Sequence, residues 1–283
     1  MMARSAVAAA GDRLSGMPAG SPSFTVVTPS LNQGQFLERS IRSVIDQGYP
    51  DLEYFVMDAG STDDSIEIIE RYADRIDYWV SAPDGGQSAA INAGWSRGTG
   101  EIVAWLNSDD YYLPGSLATV GAYLQAHPDV LAVYGRCEIV DREGQVLDRV
   151  GEPYRRRTMV MSRNVIPQPA AFIRREALDR VGMLDESLHY VMDMELFLRV
   201  GRIRAPRFLD QTLAGMTRHP DTKTSRGRGG MAGERWQVRL RYARRAEVPL
   251  LRAGQLASRA FHSLPDGIRD AIDRRRRLDL RTG

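Results

Sequence analysis

The chain has 283 residues, of which 43% are hydrophobic and 26% are charged, and its formal net charge is +2. This composition is typical of a folded globular protein and excludes a wholly disordered chain. The single cysteine, Cys137, excludes a disulfide scaffold, because it has no partner within the chain. No apolar run reaches the roughly 18 residues of a membrane span, and no signal-peptide core is recognisable, so we expect a cytoplasmic protein.

The charge is distributed unevenly along the sequence. Residues 1–225 carry 23 basic and 30 acidic residues, whereas residues 226–283 carry 15 basic and 6 acidic residues. The acidic body argues against nucleic acid as a partner. The basic segment favours contact with an anionic surface such as a membrane.

The first half of the sequence alternates strand and helix patterns. Residues 1–22 are rich in Ala, Gly, Ser and Pro, and they predict a disordered leader. Strands are predicted at 24–28, 53–58, 78–80 and 102–106, and helices at 35–47, 61–72 and 87–96. Strands that alternate with helices of this length predict βαβ units and a parallel sheet.

The second half has a looser pattern. Strands are predicted at 130–134, 137–140, 146–150 and 170–173, helices at 117–125, 175–181 and 193–200, and basic helices at 234–260 and 266–278. Residues 152–163 and 218–234 lack apolar periodicity and predict loops. The predicted fold class is α/β, with a mostly parallel sheet flanked by helices. The predicted main domain spans 23–225, divided into halves at 23–115 and 116–225, with a helical extension at 226–283.

Polar side chains follow each strand of the first half. They lie in segments 28–32, 58–63, 84–87 and 107–110. Ligands of open α/β sheets bind at the carboxyl ends of the strands, so these segments predict a binding site. The alternative is that they are only turn and cap residues, which four such segments in succession disfavour.

Two adjacent carboxylates, Asp109 and Asp110, follow an apolar strand. Carboxylates in this position need a cation or hydrogen bonds to compensate their charge. Their hard oxygen ligands suit Mg²⁺ or Mn²⁺ held together with substrate phosphates. The alternative is a capping role for the next helix. A dinucleotide-binding fingerprint is excluded, because the turn after the first strand contains a single glycine.

These motifs together resemble the family 2 glycosyltransferases of the GT-A fold. The matching segments are TVVTPSLNQGQFLERSIRSVIDQGYPDLEYFVMDAGSTDDS, APDGGQSAAINAGWSRGTGEIVAWLNSDDYYLPGSL, PQPAAFIRREALDRVGMLDES and YVMDMELFLRVG. They cover about residues 24–220 in the family's order. The resemblance implies transfer of a sugar, with inversion, from a nucleotide diphosphate sugar to a hydroxyl of a glycan, glycolipid or lipid-linked acceptor. It also implies a role in the biosynthesis of a polysaccharide or cell-envelope glycan.

The resemblance also implies roles for single residues. Asp193 falls at the position of the catalytic base. Asp109, Asp110 and His219 fall at the metal site, where Asn107 replaces the first acid of the family's D-x-D motif. The residues implied to line the donor pocket are Thr28, Pro29, Asn32, Asp58, Ser61, Asp63, Gly86, Gln87, Asn92, Gly94, Asn107 and Ser108. For His219, an ordinary loop histidine is the alternative.

Other functions stay open from the sequence. They are a catalytically idle nucleotide-sugar-binding homologue and a nucleotidyltransferase, although the basic triphosphate loop of the latter is missing. Several roles stay open for the basic C-terminal segment: contact with a membrane, a solvated tail, or packing on the acidic body or on a second subunit of a homo-oligomer. The glycine-rich residues 220–233 are expected to close over a bound donor.

Overall fold

The computed structural model describes residues 2–5, 20–219 and 228–262, which form a mixed α/β structure. Its strands are β1 (Met2–Ser5), β2 (Phe24–Ser30), β3 (Leu52–Asp58), β4 (Tyr78–Ser81), β5 (Ile102–Trp105), β6 (Asp110–Tyr112), β7 (Ala132–Val140), β8 (Val146–Val150), β9 (Ala171–Arg174) and β10 (Arg207–Thr217). Its helices are α1 (Gly34–Ile45), α2 (Ser65–Arg71), α3 (Gln87–Arg97), α4 (Ser116–Ala126), α5 (Arg156–Met161), α6 (Arg175–Val181), α7 (Met192–Ile203), α8 (Arg228–Tyr242) and α9 (Val248–His262).

The strands form one sheet in the order β1-β4-β3-β2-β5-β9-β7-β10-β6, with β8 paired to β7. The strands β2 to β5 are parallel to one another, and β9 joins this unit antiparallel to β5. Ser30 pairs with Asp58 at the last register position of β2 and β3. The two strands therefore end side by side, and the loops that follow them meet at one edge of the sheet.

Two apolar layers enclose the sheet, one on each face. Val26 packs with Leu37 and Ile41 of α1, whereas its neighbour Val27 packs with Ile91 and Trp95 of α3. This is the alternation that a strand buried on both faces produces. The first half of the chain thus forms the predicted arrangement of a parallel sheet between helices.

The second half differs from the predictions in three elements. One strand, β7, replaces two predicted strands, and the predicted loop at 152–163 contains the short helix α5, which buries Met159 and Val160. The strand β10 was not predicted. It forms because its residues pair in parallel with β7, a contact between distant segments that no local pattern reports.

The predicted leader and extension are partly described. Met2–Ser5 pairs antiparallel with β4, where the sequence predicts no regular structure, because the edge of a sheet offers unpaired backbone groups to any extended segment. At the other end, Val238, Tyr242 and Leu251 belong to the same buried cluster as Leu196 and Phe197 of α7, so α8 and α9 pack on the second half. The predicted loop 218–234 is wrong in its second part, because residues 228–234 form the first turns of α8. Residues 1 and 6–19 of the predicted leader, residues 220–227 of the proposed lid and the predicted helix 266–278 lie outside the described residues.

Candidate active site

A cavity of about 820 Å³ opens at the carboxyl ends of β2 and β5. One wall comes from the first half of the chain and includes Pro29, Ser30, Gln33, Asp84, Gly86, Gln87, Asn107, Ser108, Asp109 and Asp110. The rest of the lining comes from the second half and includes Asn164, Val165, Ile166, Pro167, Gln168, His189, Tyr190 and Asp193. The structure therefore brings the implied catalytic base and part of the implied donor pocket into one space.

Asp58 is 2% exposed and fixes the turn that follows β3. Its Oδ2 accepts hydrogen bonds from the backbone N–H groups of Gly60 (3.0 Å) and Ser61 (2.8 Å) and from the hydroxyl of Ser81 (2.6 Å). The hydroxyl of Ser61 donates to Oδ1 of the same carboxylate. Asp58 and Ser61 thus stabilise the loop beside the cavity rather than line it.

Asn32 and Asp63 join the loops that follow β2 and β3. Asn32 has a φ of 52°, in the left-handed region that asparagine tolerates better than most residues. Its backbone N–H donates to Ser61 Oγ (2.8 Å), and its Oδ1 accepts from the backbone N–H of Thr62 (2.8 Å). Asp63 Oδ2 accepts from the N–H of Gly34, the first residue of α1, at 3.0 Å. Both residues therefore fix the conformation of the loops beside the cavity.

Three other implied donor residues lie in the core. The buried Thr28 Oγ1 accepts a 2.9 Å hydrogen bond from the hydroxyl of Tyr54. A Cβ on Gly94 would stand 2.6 Å from Cγ2 of Val27, so this glycine allows α3 to pack closely on β2. Asn92 hydrogen-bonds both the backbone N–H and the carbonyl of Leu184, at 3.1 and 3.0 Å.

The side-chain amide of Asn107 lies at the centre of a polar network in the cavity wall. Its Oδ1 accepts from Gln87 Nε2 (2.7 Å), and its Nδ2 donates to Asp110 Oδ2 (3.0 Å) and Gln168 Oε1 (3.0 Å). Burial raises the pKa of Asp110 well above its usual range and the charge of Asp109 raises it further, whereas the Asn107 hydrogen bond and Arg39 lower it. An asparagine at position 107 therefore supplies the buried carboxyl of Asp110 with a donor, which a third carboxylate there would not.

Asp109 contacts His219, which lies 110 residues further along the chain. The Nε2 atom of His219 is 3.2 Å from Asp109 Oδ2, and Thr217 Oγ1 donates to the Asp109 carbonyl at 2.7 Å. The antiparallel pairing of β6 with β10 sets this proximity, because Met216 stands opposite Asp110. Among the described residues, no three Asp, Glu, His or Cys side chains form a cluster that would hold a metal by themselves. The carboxylate and imidazole do suit a cation that takes its other ligands from a diphosphate and water.

Asp193 lies in the first turn of α7 and lines the cavity. Its Oδ2 accepts a 2.8 Å hydrogen bond from Asn164 Nδ2. Burial raises the pKa of Asp193 to about 6, against the opposing effects of nearby backbone N–H groups, Arg235 and Asn164. A carboxylate with such a pKa is ionised at neutral pH and is a stronger base than an exposed aspartate.

Three polar residues of the cavity wall, Gln33, Asn164 and Gln168, were not predicted from the sequence, whereas Ser30 falls in the predicted segment 28–32. Ser30 Oγ and Gln33 Oε1 are buried and have no hydrogen-bond partner among the residues the structure describes. The signal for Gln33 was its position directly after Asn32, in the loop that follows β2. Asn164 and Gln168 had no such signal, because they lie between the predicted loop 152–163 and the predicted strand 170–173, where no local pattern marks a site.

Residues 25–182 match the family model described as Glycosyl transferase family 2. The chain belongs to this family. This family 2 transferase is 30% identical over 190 residues to an uncharacterized glycosyltransferase of Mycobacterium tuberculosis. The match covers 66% of this chain and 71% of the relative. It is 34% identical over 130 residues to an uncharacterized glycosyltransferase of Nostoc, covering 44% of this chain and 40% of that relative.

A third relative carries a specific name. The transferase is 31% identical over 133 residues to the GalNAc(5)-diNAcBac-PP-undecaprenol beta-1,3-glucosyltransferase of Campylobacter jejuni. This match covers 44% of the present chain and 41% of the relative. The matched segment is thus less than half of the Nostoc and Campylobacter proteins.

Solved structures share the fold of the transferase. The mannosyltransferase PcManGT of Pyrobaculum calidifontis, in complex with GDP-Man and Mn²⁺, matches with a TM-score of 0.60 and 20% identity over 84% of this chain and 70% of its own. TarS 1–349 of S. aureus, in complex with UDP-GlcNAc, matches with a TM-score of 0.60 and 19% identity over 76% of this chain and 64% of its own. The predicted GT-A fold is confirmed.

Proposed function

We propose that this family 2 transferase moves a sugar from a nucleotide diphosphate sugar to an acceptor hydroxyl, with inversion at the anomeric carbon. The observation that carries the proposal is the single cavity that joins the polar strand ends of the first half to Asp193 of the second half. Inversion requires a base on the side of the sugar opposite the leaving group, and Asp193 supplies a carboxylate from the half of the chain that does not carry the donor-side residues.

Asp193 is the general base of the proposed reaction. As the acceptor oxygen forms its bond to the anomeric carbon, the bond from that carbon to the diphosphate oxygen breaks, and the hydroxyl proton passes to the carboxylate of Asp193. The raised pKa of about 6 suits this role, because the group is mostly ionised at neutral pH yet basic enough to accept the proton. Asn164 holds Oδ2 and so orients the carboxylate.

The donor side offers groups suited to a nucleotide diphosphate. Helix α3 begins at Gln87, directly after Gly86, and both residues line the cavity. The N-terminus of a helix carries partial positive charge and unpaired N–H groups, which favour binding of phosphates. Ser30 and Gln33 present unpartnered buried oxygens beside it, and these are able to contact the nucleoside.

Asp109 and His219 would hold the Mg²⁺ or Mn²⁺ that this proposal includes. The cation supplies electrophilic stabilisation of the negative charge on the departing diphosphate. The proposal is supported by the donor set of one carboxylate and one imidazole at 3.2 Å, and by the Mn²⁺ named in the PcManGT complex. Asp110 is the less accessible of the two predicted carboxylate ligands, because its side chain is buried and bonded to Asn107.

The proposed acceptor is a lipid-linked or envelope glycan, in keeping with the name of the Campylobacter relative.

Within the described residues, no helix has the length and hydrophobicity to cross a membrane. Leu250 and Leu256 of α9 are 55% and 66% exposed, on a segment of the chain with a strongly basic sequence. Peripheral membrane contact through this helix is part of the proposal, and flotation with anionic vesicles tests it, since binding that is absent or insensitive to salt would contradict it.

A panel of nucleotide sugars tests the proposed function. The purified protein is melted with UDP-, GDP- and dTDP-sugars, in the presence of Mn²⁺ or of excess EDTA. We expect one nucleotide class to raise the melting temperature, and EDTA to remove this effect. No shift with any member of the panel would contradict the proposal.

A further inference from the structure

Helix α8, in the basic C-terminal segment, contacts the acceptor-side wall of the cavity directly. The two carboxylate oxygens of Glu234 accept hydrogen bonds from consecutive backbone N–H groups, Oε1 from His189 at 2.9 Å and Oε2 from Tyr190 at 2.7 Å. His189 and Tyr190 both line the cavity, and Asp193 follows three residues after Tyr190. The carboxylate of Glu234 therefore holds the backbone four and three residues before the proposed base, Asp193.

A second contact joins the same face of α8 to the same segment. Gly230 lies four residues before Glu234, which places both on one side of the helix. A Cβ at Gly230 would stand 2.7 Å from Cε2 of Tyr190, so the helix backbone lies against the tyrosine ring. The charge of Arg235, the next residue of α8, also acts on Asp193 and lowers its pKa.

The other end of the segment is held by α3 as well as by α8. Asn92 of α3 bonds the backbone of Leu184 through two hydrogen bonds, and Arg241 of α8 pairs with Asp185 at 3.1 Å. The stretch 184–193, which we call the acceptor segment, is thus fixed between the donor-half helix α3 and the C-terminal helix α8. His189 and Tyr190 of this segment line the cavity, and their backbone N–H groups bond Glu234.

We propose that Glu234 is a positioning residue, which holds the acceptor segment so that Asp193 faces the reacting hydroxyl. This inference rests on the proposed function. It makes α8 a part of the acceptor side of the active site, whereas the donor-side lining comes from the first half of the chain. Loss of Glu234 should therefore impair the transfer step and leave the binding of the nucleotide unchanged.

The test compares Glu234→Ala and the milder Glu234→Gln with the wild-type protein. The alanine removes both acceptors, whereas glutamine keeps one oxygen and replaces the other with a donor. Glu247→Gln is the matched control, because Glu247 pairs with Arg156 and ties the turn between α8 and α9 to α5 without touching the acceptor segment. All variants are first compared for melting temperature.

Three measurements follow. Hydrogen exchange of the 184–193 peptide should be faster in Glu234→Ala and unchanged in Glu247→Gln, because only the former removes the partner of the His189 and Tyr190 N–H groups. Hydrolysis of the nucleotide sugar that gives the largest melting shift, with water as the acceptor, should fall by about 10²-fold in Glu234→Ala and less in Glu234→Gln. The melting shift produced by that nucleotide sugar with Mn²⁺ should stay as in the wild type.

The results separate this inference from the proposed function. Unchanged exchange and hydrolysis in Glu234→Ala, or an equal loss in Glu247→Gln, would overturn the role of Glu234. Weakened nucleotide binding in Glu234→Ala would also overturn it, because it would indicate a general loss of structure. If the wild type binds no nucleotide sugar, the proposed function fails, while the exchange comparison still tests whether Glu234 holds the acceptor segment.

Discussion

The side-chain amide of Asn164 donates a 2.8 Å hydrogen bond to Oδ2 of Asp193. Oδ1 of the same asparagine accepts from the backbone N–H of Ile166 at 3.1 Å, which fixes the amide in this orientation. The bond favours the ionised carboxylate and opposes the burial that raises the pKa of Asp193 to about 6. Asn164 therefore helps to keep the proposed base deprotonated near neutral pH.

Replacement of Asn164 by alanine should raise the pKa of Asp193 further. The acid limb of the pH–rate profile is then expected to move to higher pH by about one pH unit, because a hydrogen bond to a charged group is lost. Rates at high pH serve as the internal control, since Asp193 is ionised there in both proteins. An acid limb at the wild-type position would contradict the link between these two residues.

The raised pKa of Asp193 also predicts an effect on stability. A carboxyl whose pKa is higher in the folded state than its ordinary 3.8 lowers stability as the pH rises from 3.8 to about 6, and this loss persists above that range. Asp193→Asn removes the buried charge and should raise the free energy of unfolding at pH 8 by on the order of 2 kcal/mol.

The gain should disappear at low pH, where the wild-type carboxyl is protonated in the folded and unfolded chain alike. Urea unfolding of both proteins at pH 8 and at the lowest pH that preserves the fold measures the difference. A variant that is less stable than the wild type at pH 8 would argue against a desolvated carboxylate at this position.

Asp109→Asn should abolish the effect of Mn²⁺ on activity and on the melting temperature, and His219→Ala should raise the Mn²⁺ concentration needed for half-maximal activity. Both follow from the 3.2 Å contact of the buried His219 with Asp109, which lines the cavity. Asp129→Asn is the control, because Asp129 is an exposed aspartate that pairs with Arg204. Full activity of the wild type in excess EDTA would rule out the metal.

Gly94→Ala should destabilise the fold, because the new methyl group would stand 2.6 Å from Val27 Cγ2. Overpacking of this kind costs about 1–3 kcal/mol. Gly233→Ala is the matched control, since a Cβ there meets no atom within 4 Å, and the change should stabilise α8 by up to about 1 kcal/mol. Denaturant unfolding compares the two, and a Gly94→Ala protein of wild-type stability with weakened nucleotide binding would restore its predicted place in the donor pocket.

The sequence predicted the first half of the fold well because each element there carries its own pattern. Val26 and Val27 lie in a β-branched run buried on both faces, and the helix that follows has a clear apolar stripe. In the second half, two strands are predicted at 130–134 and 137–140, on either side of Gly135. The structure has one strand there, and the glycine is needed because a Cβ would stand 2.5 Å from the carbonyl oxygen of Gln211 in β10.

The candidate site was predicted only in part, because some of its residues depend on contacts that no local pattern reports. The resemblance identified Gln87, Asn107 and Asp109, which do line the cavity, and it identified Asp58, whose carboxylate instead holds its own turn. Position after a strand predicts nearness to a site, but it does not predict whether a carboxylate faces the ligand or the loop. Glu234 had no local signal at all, since its role depends on a contact with residues 44 and 45 positions away.

The stereochemistry of sugar release decides whether Asp193 acts as the base of an inverting transfer. The protein is incubated with Mn²⁺ and an α-linked nucleotide sugar that raises its melting temperature, and the anomeric proton of the sugar first released to water is followed by NMR. We predict that the β-anomer forms first, and that Asp193→Asn slows its release by about 10²–10⁴-fold while the nucleotide still binds. Initial release of the α-anomer, or release at the wild-type rate by Asp193→Asn, would contradict an inverting transferase with Asp193 as its base.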